Sequence, residues 1–159
     1  MIILDTCSWL KIQLIHTQLK IDLRSILQEC AILLTHPLNK EINYYLKDYI
    51  DTTFFQIYPI KSDKLEELSD LEFDEADLSI IILAQEMDIL VITEDGSLLM
   101  FLINLGKKAI QISEFFLTLL NLNRINKRVC YNLLKFLRER KNITAKRYKK
   151  LKAQLHRFQ

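Results

Sequence analysis

The chain has 159 residues, 50% apolar and 26% charged, with 2 Gly, 2 Pro and 3 Cys, and its formal charge of +2 conceals a split. Residues 1–123 carry 9 Lys and Arg against 19 Asp and Glu, a balance of −10, whereas residues 124–159 carry 13 against 1, a balance of +12. This excludes an intrinsically disordered chain, a collagen-like repeat and a disulfide-stapled miniature; so few Gly and Pro also argue against the many tight turns of an all-β sandwich.

Residues 2–5 form a short apolar run ending in a carboxylate, followed by Thr6, Cys7 and Ser8 and then by helical spacing through Trp9, Leu10, Leu14 and Ile15. The pattern predicts strand, turn, helix. With no basic stretch before Asp5, a signal peptide is not expected. A second apolar run, residues 31–35, leads past Pro37 into Leu38, Ile42, Tyr45, Leu46 and Tyr49 at helical spacing, with Pro37 near the helix start where its missing N–H costs little. Residues 54–60 are aromatic and β-branched, and residues 62–71 follow as a short charged helix.

Residues 73–87 read as a helix that is apolar on nearly every side, as a helix buried against a sheet must be. Residues 90–93 are the fourth strand; Glu94, Asp95 and Gly96 lead into a helix that Gly106 closes, and residues 109–112 are the fifth strand. Strands alternating with helices predict an α/β fold with a parallel sheet covered on both faces. The apolar stripe Phe115, Phe116, Leu119 and Leu120 reads first as core and second as a homodimer contact. Beyond it, Val129, Leu133, Phe136 and Leu137, then Tyr148, Leu151 and Leu155, predict two amphipathic helices capped between them by Asn142 or Thr144. The organisation is therefore a body over 1–121 and a basic helical hairpin over 122–159. No apolar run approaches the ~18 residues of a membrane span. The three cysteines, lacking metal-type spacing, read as reduced, buried thiols of a cytoplasmic protein.

In open parallel sheets ligands bind beyond the carboxyl ends of the strands. Asp5 ends the first strand, Asp95 follows the fourth, Glu41 lies one turn into the helix after the second, and Asp77 lies in the first turn of the buried helix. Four carboxylates brought to one edge repel one another unless a multivalent cation neutralises them. An all-oxygen set without His or Cys suits Mg²⁺ or Mn²⁺, and such ions typically act on phosphates. Each acid also has a plainer reading: Asp74 and Asp77 as helix caps, Glu94 and Asp95 as turn residues, Glu41 as a surface acid. Asp5, at the end of an apolar strand, has the least comfortable one.

The ordered set Ile2-Ile3-Leu4-Asp5-Thr6, Glu41, the run from Asp77 to Ala84, and Val91-Ile92-Thr93-Glu94-Asp95 resembles the PIN-domain nucleases, including VapC-type toxins of toxin–antitoxin pairs. The resemblance covers residues 1–120. It implies a three-layer α/β/α fold with a five-stranded parallel sheet ordered 3-2-1-4-5, and Mg²⁺- or Mn²⁺-dependent hydrolysis of RNA. Asp5, Glu41, Asp77 and Asp95 take the catalytic positions, with Asp5, Asp77 and Asp95 as metal ligands. Thr6 takes a supporting place, and Asp74 and Glu94 join the acidic rim. Thr-Glu-Asp-Gly leaves open which of Glu94 and Asp95 faces the ion, with Asp95 favoured.

The basic arm suits RNA phosphates, with Lys146, Arg147, Lys149 and Lys150 as its contacts; an antitoxin, a dimer mate, or mere solvation are the other uses for such a face. A catalytically inactive module that binds RNA or a partner protein through this arm is the competing function.

Overall fold

The computed structural model describes residues 1–157, so the last two residues of the expected 122–159 extension lie outside the described ones. By its internal contacts the chain forms two compact units, Met1–Ile110 and Gln111–Gln159. The change of charge composition falls later, near residue 123.

The first unit opens with β1 (Ile2–Leu4) and α1 (Thr6–Leu19), then α2 (Leu23–Gln28), β2 (Leu33–Thr35) and α3 (His36–Leu46). A 3-10 turn (Thr52–Phe54) precedes β3 (Gln56–Tyr58) and α4 (Ser62–Glu67); α5 (Glu75–Glu86), β4 (Leu90–Ile92), α6 (Gly96–Asn104) and β5 (Ala109–Ile110) complete it. The mixed α/β class and the parallel pairing are as expected. The continuous five-stranded sheet is not: β1, β4 and β5 form one three-stranded ladder, and β2 and β3 a separate two-stranded one.

Neighbours still follow the order 3-2-1-4-5, but β1 and β2 meet only at the bridge Ile2–Ile32, beside the bond from Ile2 N–H to the Ala31 carbonyl. Strands of three residues offer few hydrogen bonds to resist the twist between neighbours. Ile3 and Leu4 instead pair with Val91 and Ile92 on the other side. The strand order therefore reverses at β1, and this is the place where an open α/β sheet leaves a crevice at the carboxyl ends of its strands.

Ile3, Leu4, Leu33, Leu34, Val91 and Ile92 are buried, and α5 buries Leu78 and every residue from Ser79 to Ala84. A chain of hydroxyls crosses this core. Leu38 N–H donates to Thr35 Oγ1, Thr35 and Ser79 hydroxyls are 2.5 Å apart, and Ser79 donates to the Ala76 carbonyl at 2.6 Å. Because the Ser79 proton is committed to Ala76, the Thr35 proton must go to Ser79. The chain ties the start of α3, which carries Glu41, to the first turns of α5, which carry Asp77.

In the second unit α7 (Ile112–Asn121), α8 (Lys127–Glu139) and α9 (Ala145–Arg157) pack pairwise. Phe115, Phe116, Leu119 and Leu120 are buried, so that stripe is core and not an open dimer face. Asn126 caps α8, and of the two candidate caps for α9 it is Thr144 that accepts the Arg147 N–H, at 3.2 Å. Asn123 and Lys141, at φ 56° and 59°, close α7 and α8 in the left-handed conformation.

Ser79→Ala removes the acceptor for a fully buried hydroxyl proton. It is expected to lower the urea midpoint at unchanged m value, by about 1–3 kcal/mol of stability.

Candidate active site

Asp5 is 3% exposed and caps α1. Its Oδ1 accepts from Ser8 N–H at 2.7 Å, and its Oδ2 from the Thr93 hydroxyl at 2.5 Å and from Glu94 N–H at 3.0 Å. Thr93 Oγ1 in turn accepts from Asp95 N–H at 3.0 Å. Ser8 spends its own hydroxyl on the Ile92 carbonyl at 3.2 Å. One buried carboxylate therefore joins the ends of β1 and β4 and fixes the turn that follows β4. A buried charge tolerates its site only with such donors.

The Thr6 hydroxyl donates to Glu41 Oε2 at 2.8 Å. Asp95 caps α6 through Oδ1, which accepts from Ser97 and Leu98 N–H groups at 2.7 and 2.9 Å. Asp74 caps α5 by accepting from Asp77 N–H at 2.9 Å. Glu94 is ion-paired with Lys11 of α1, so its charge is already neutralised and Asp95 is the freer acid of the pair.

Asp77 is the member of the group that carries the cost. Burial, then the charges of Asp74, Asp5, Asp95 and Glu41, push its carboxyl up to about 7. Those contributions place all five acids within one electrostatic neighbourhood. The same field reaches Cys7, whose thiol is pushed up to about 11 by burial and then by Asp5, Asp77, Glu41 and Asp95. Cys7 therefore stays protonated at neutral pH and is a poor nucleophile; the residue as a whole is exposed and Cys30 half-buried, so of the three cysteines expected to be buried only Cys130 is.

Among the described residues no three His, Cys, Asp or Glu side chains stand close enough to grip an ion as they lie. The donor set nevertheless suits a hard divalent cation: oxygen-only and anionic, with the Asp77 carboxyl raised first by burial and then by like charges that a cation would offset. Asp5 is fixed and Glu41 is held by Thr6, so Asp77 and Asp95 are the side chains whose rotation would complete the grip.

Sequence reasoning assigned no role to Thr93, Ser8 or Lys11. A signal existed only for Thr93, whose hydroxyl sits two residues before an acid at a strand end; the other two depend on partners 84 and 83 residues away. In the second unit Lys146, Lys149 and Lys150 are exposed on α9, whereas Arg147 is half-buried and paired with Glu114. No family model matches the chain, and no curated protein matches it.

Two substitutions should separate holding from repulsion. Asp5→Asn turns an NH₂ toward existing donors and is expected to cost about 1–3 kcal/mol in urea unfolding. Asp77→Asn should act the other way. The raised pKa of Asp77 contributes stability that is full below about 3.8 and lost as pH rises through about 7. In EDTA the wild type should therefore lose melting temperature between pH 4 and pH 8 relative to Asp77→Asn, a difference that thermal scans at both pH values measure.

Proposed function

We propose that the protein is a Mg²⁺- or Mn²⁺-dependent endoribonuclease of the PIN type, with the helix layers on both sides of the strands that go with that class. The observation that carries this reading is Asp5 locked at the reversal of strand order beside Asp77, whose carboxyl is pushed up to about 7 by burial first and then by the charges of Asp74, Asp5, Asp95 and Glu41. Asp5, Asp74 and Asp95 each cap a helix, but no such role accounts for the carboxyl of Asp77, and a cation would.

Asp5, Asp77 and Asp95 are the residues that would hold the ion. When bound, it would lower the pKa of a water and offset the charge gathering on a phosphodiester. Thr93 keeps Asp5 and the Asp95 backbone in register. Thr6 orients Glu41 so that its second oxygen is open to take a proton from the attacking water. Lys11 holds Glu94 as an ion pair and so removes a competing carboxylate from the edge.

Substrate phosphates fall to the second unit, whose 13 Lys and Arg face only 2 acids. The exposed Lys146, Lys149 and Lys150 are its best contacts, with Arg147 already spent on Glu114. A toxin role would add a partner protein that covers the acidic edge. Among the described residues no helix is long and apolar enough to cross a membrane.

Purified protein incubated with single-stranded RNA should cleave it with Mn²⁺ or Mg²⁺ and not with EDTA. Asp77→Asn, which leaves the Asp5 hydrogen bonds in place, should slow cleavage by about 100-fold or more. RNA left intact with every divalent ion, or unchanged cleavage by Asp77→Asn, would contradict the proposal and favour a binding module.

Binding should also weaken with salt. Replacing Lys146, Lys149 and Lys150 together by Gln is expected to reduce the slope of log K against log salt by about 2, at roughly 0.7 per phosphate contact on a single strand. An unchanged slope would move the phosphate contacts elsewhere.

A further inference from the structure

The helix that supplies Glu41 also carries two aromatic rings with no structural use. Leu38, Ile42 and Leu46 bury one side of α3, and the packing of the first unit needs no more from it. Tyr44 and Tyr45, on the open side, are 79% and 57% exposed, with ring centroids 4.8 Å apart in an edge-to-face pair. That arrangement spends one ring edge and one ring face and leaves the other faces open.

The two rings border a groove of about 610 Å³, lined also by Pro37, Lys40, Glu41 and, from the start of α5, Asp74. Its volume lies within the range of small-molecule sites. It shares Glu41 with the acidic edge, and Asp74 caps the helix that carries Asp77.

The chemistry of the wall restricts the occupant. A phosphate would meet the charges of Glu41, Asp74 and Glu75 with only Lys40 of the lining residues to offset them. An apolar peptide would cover those carboxylates without giving them partners, a costly burial. An unpaired nucleobase satisfies both surfaces: its flat face stacks on tyrosine, and its amino group donates to a carboxylate.

We propose that this groove is a nucleobase subsite, in which Tyr44 and Tyr45 stack one unpaired base of single-stranded RNA while the Asp74 carboxylate accepts an exocyclic amino hydrogen. The proposal rests on the ribonuclease reading for its placement beside the acidic edge. It adds a preference: cytosine, with an amino donor, is favoured over uracil, which presents a carbonyl at the same position.

The test is fluorescence anisotropy in EDTA, in an Asp77→Asn background, with a labelled cytidine octanucleotide, its uridine counterpart and an abasic strand of the same length. Tyr44→Ala with Tyr45→Ala should weaken cytidine binding by roughly 10-fold, whereas the paired Phe substitutions, which keep the ring faces, should stay within about twofold. The uridine strand should bind several-fold more weakly than cytidine. Both tyrosines lie outside the core, so circular dichroism should report unchanged folding for every variant.

Alanine variants that bind like the parent, Phe variants that bind as poorly as Ala, or an abasic strand as tight as cytidine would each overturn the subsite; the last would leave the groove to a peptide. Equal binding of cytidine and uridine would overturn the carboxylate role. Because binding is read without cleavage, tyrosine-dependent binding by a protein that cleaves no RNA would sink only the nuclease reading, and cleavage with tyrosine-independent binding would sink only the subsite.

Discussion

The three hydrogen bonds to the Asp5 carboxylate hold together the part of this molecule on which everything else depends. A charge buried to this degree would be expelled or protonated without donors, and the donors come from places the chain must bring together: the first turn of α1, the side chain of Thr93 and the backbone of Glu94. The carboxylate therefore selects the alignment of β1 with β4. It also sets the geometry of the turn that presents Asp95, because the same Thr93 oxygen receives the Asp95 amide. A residue read first as a metal ligand is thus equally a clamp between two strand ends.

A second constraint follows from the first. With Asp5 fixed, the fold brings Glu41, Asp77 and Asp95 into its field. Lys11, which enters the region from α1, is committed to Glu94. The two units divide the electrostatic labour: Met1–Ile110 has 9 Lys and Arg against 18 acids, and Gln111–Gln159 has 13 against 2.

Much of this was legible in the chain because buried parallel strands read as short unbroken apolar runs. Ile2-Ile3-Leu4 and Leu90-Val91-Ile92 stand out on that ground, as does α5, apolar through several consecutive residues. The helix α2 did not, since six residues offer too little periodicity to see. Nor could the break between β1 and β2 be read, because the number of bridges two strands make is a matter of twist and non-local geometry. The four principal acids were visible from their places at strand ends and first helical turns. Other partners were not: the Ser8 hydroxyl on the Ile92 carbonyl, the Lys11–Glu94 pair and the loss of Arg147 to Glu114 all depend on residues distant in sequence.

The claim at the centre is that the acidic edge is built around a divalent cation. The direct measurement is an anomalous difference map from crystals soaked in Mn²⁺ near pH 8, where the Asp77 carboxyl is mostly ionised. A cation site predicts a manganese peak within coordination distance of Asp5 and at least one of Asp77 and Asp95. A map with the ion elsewhere on the surface, or with none bound at any concentration the crystals survive, would contradict it.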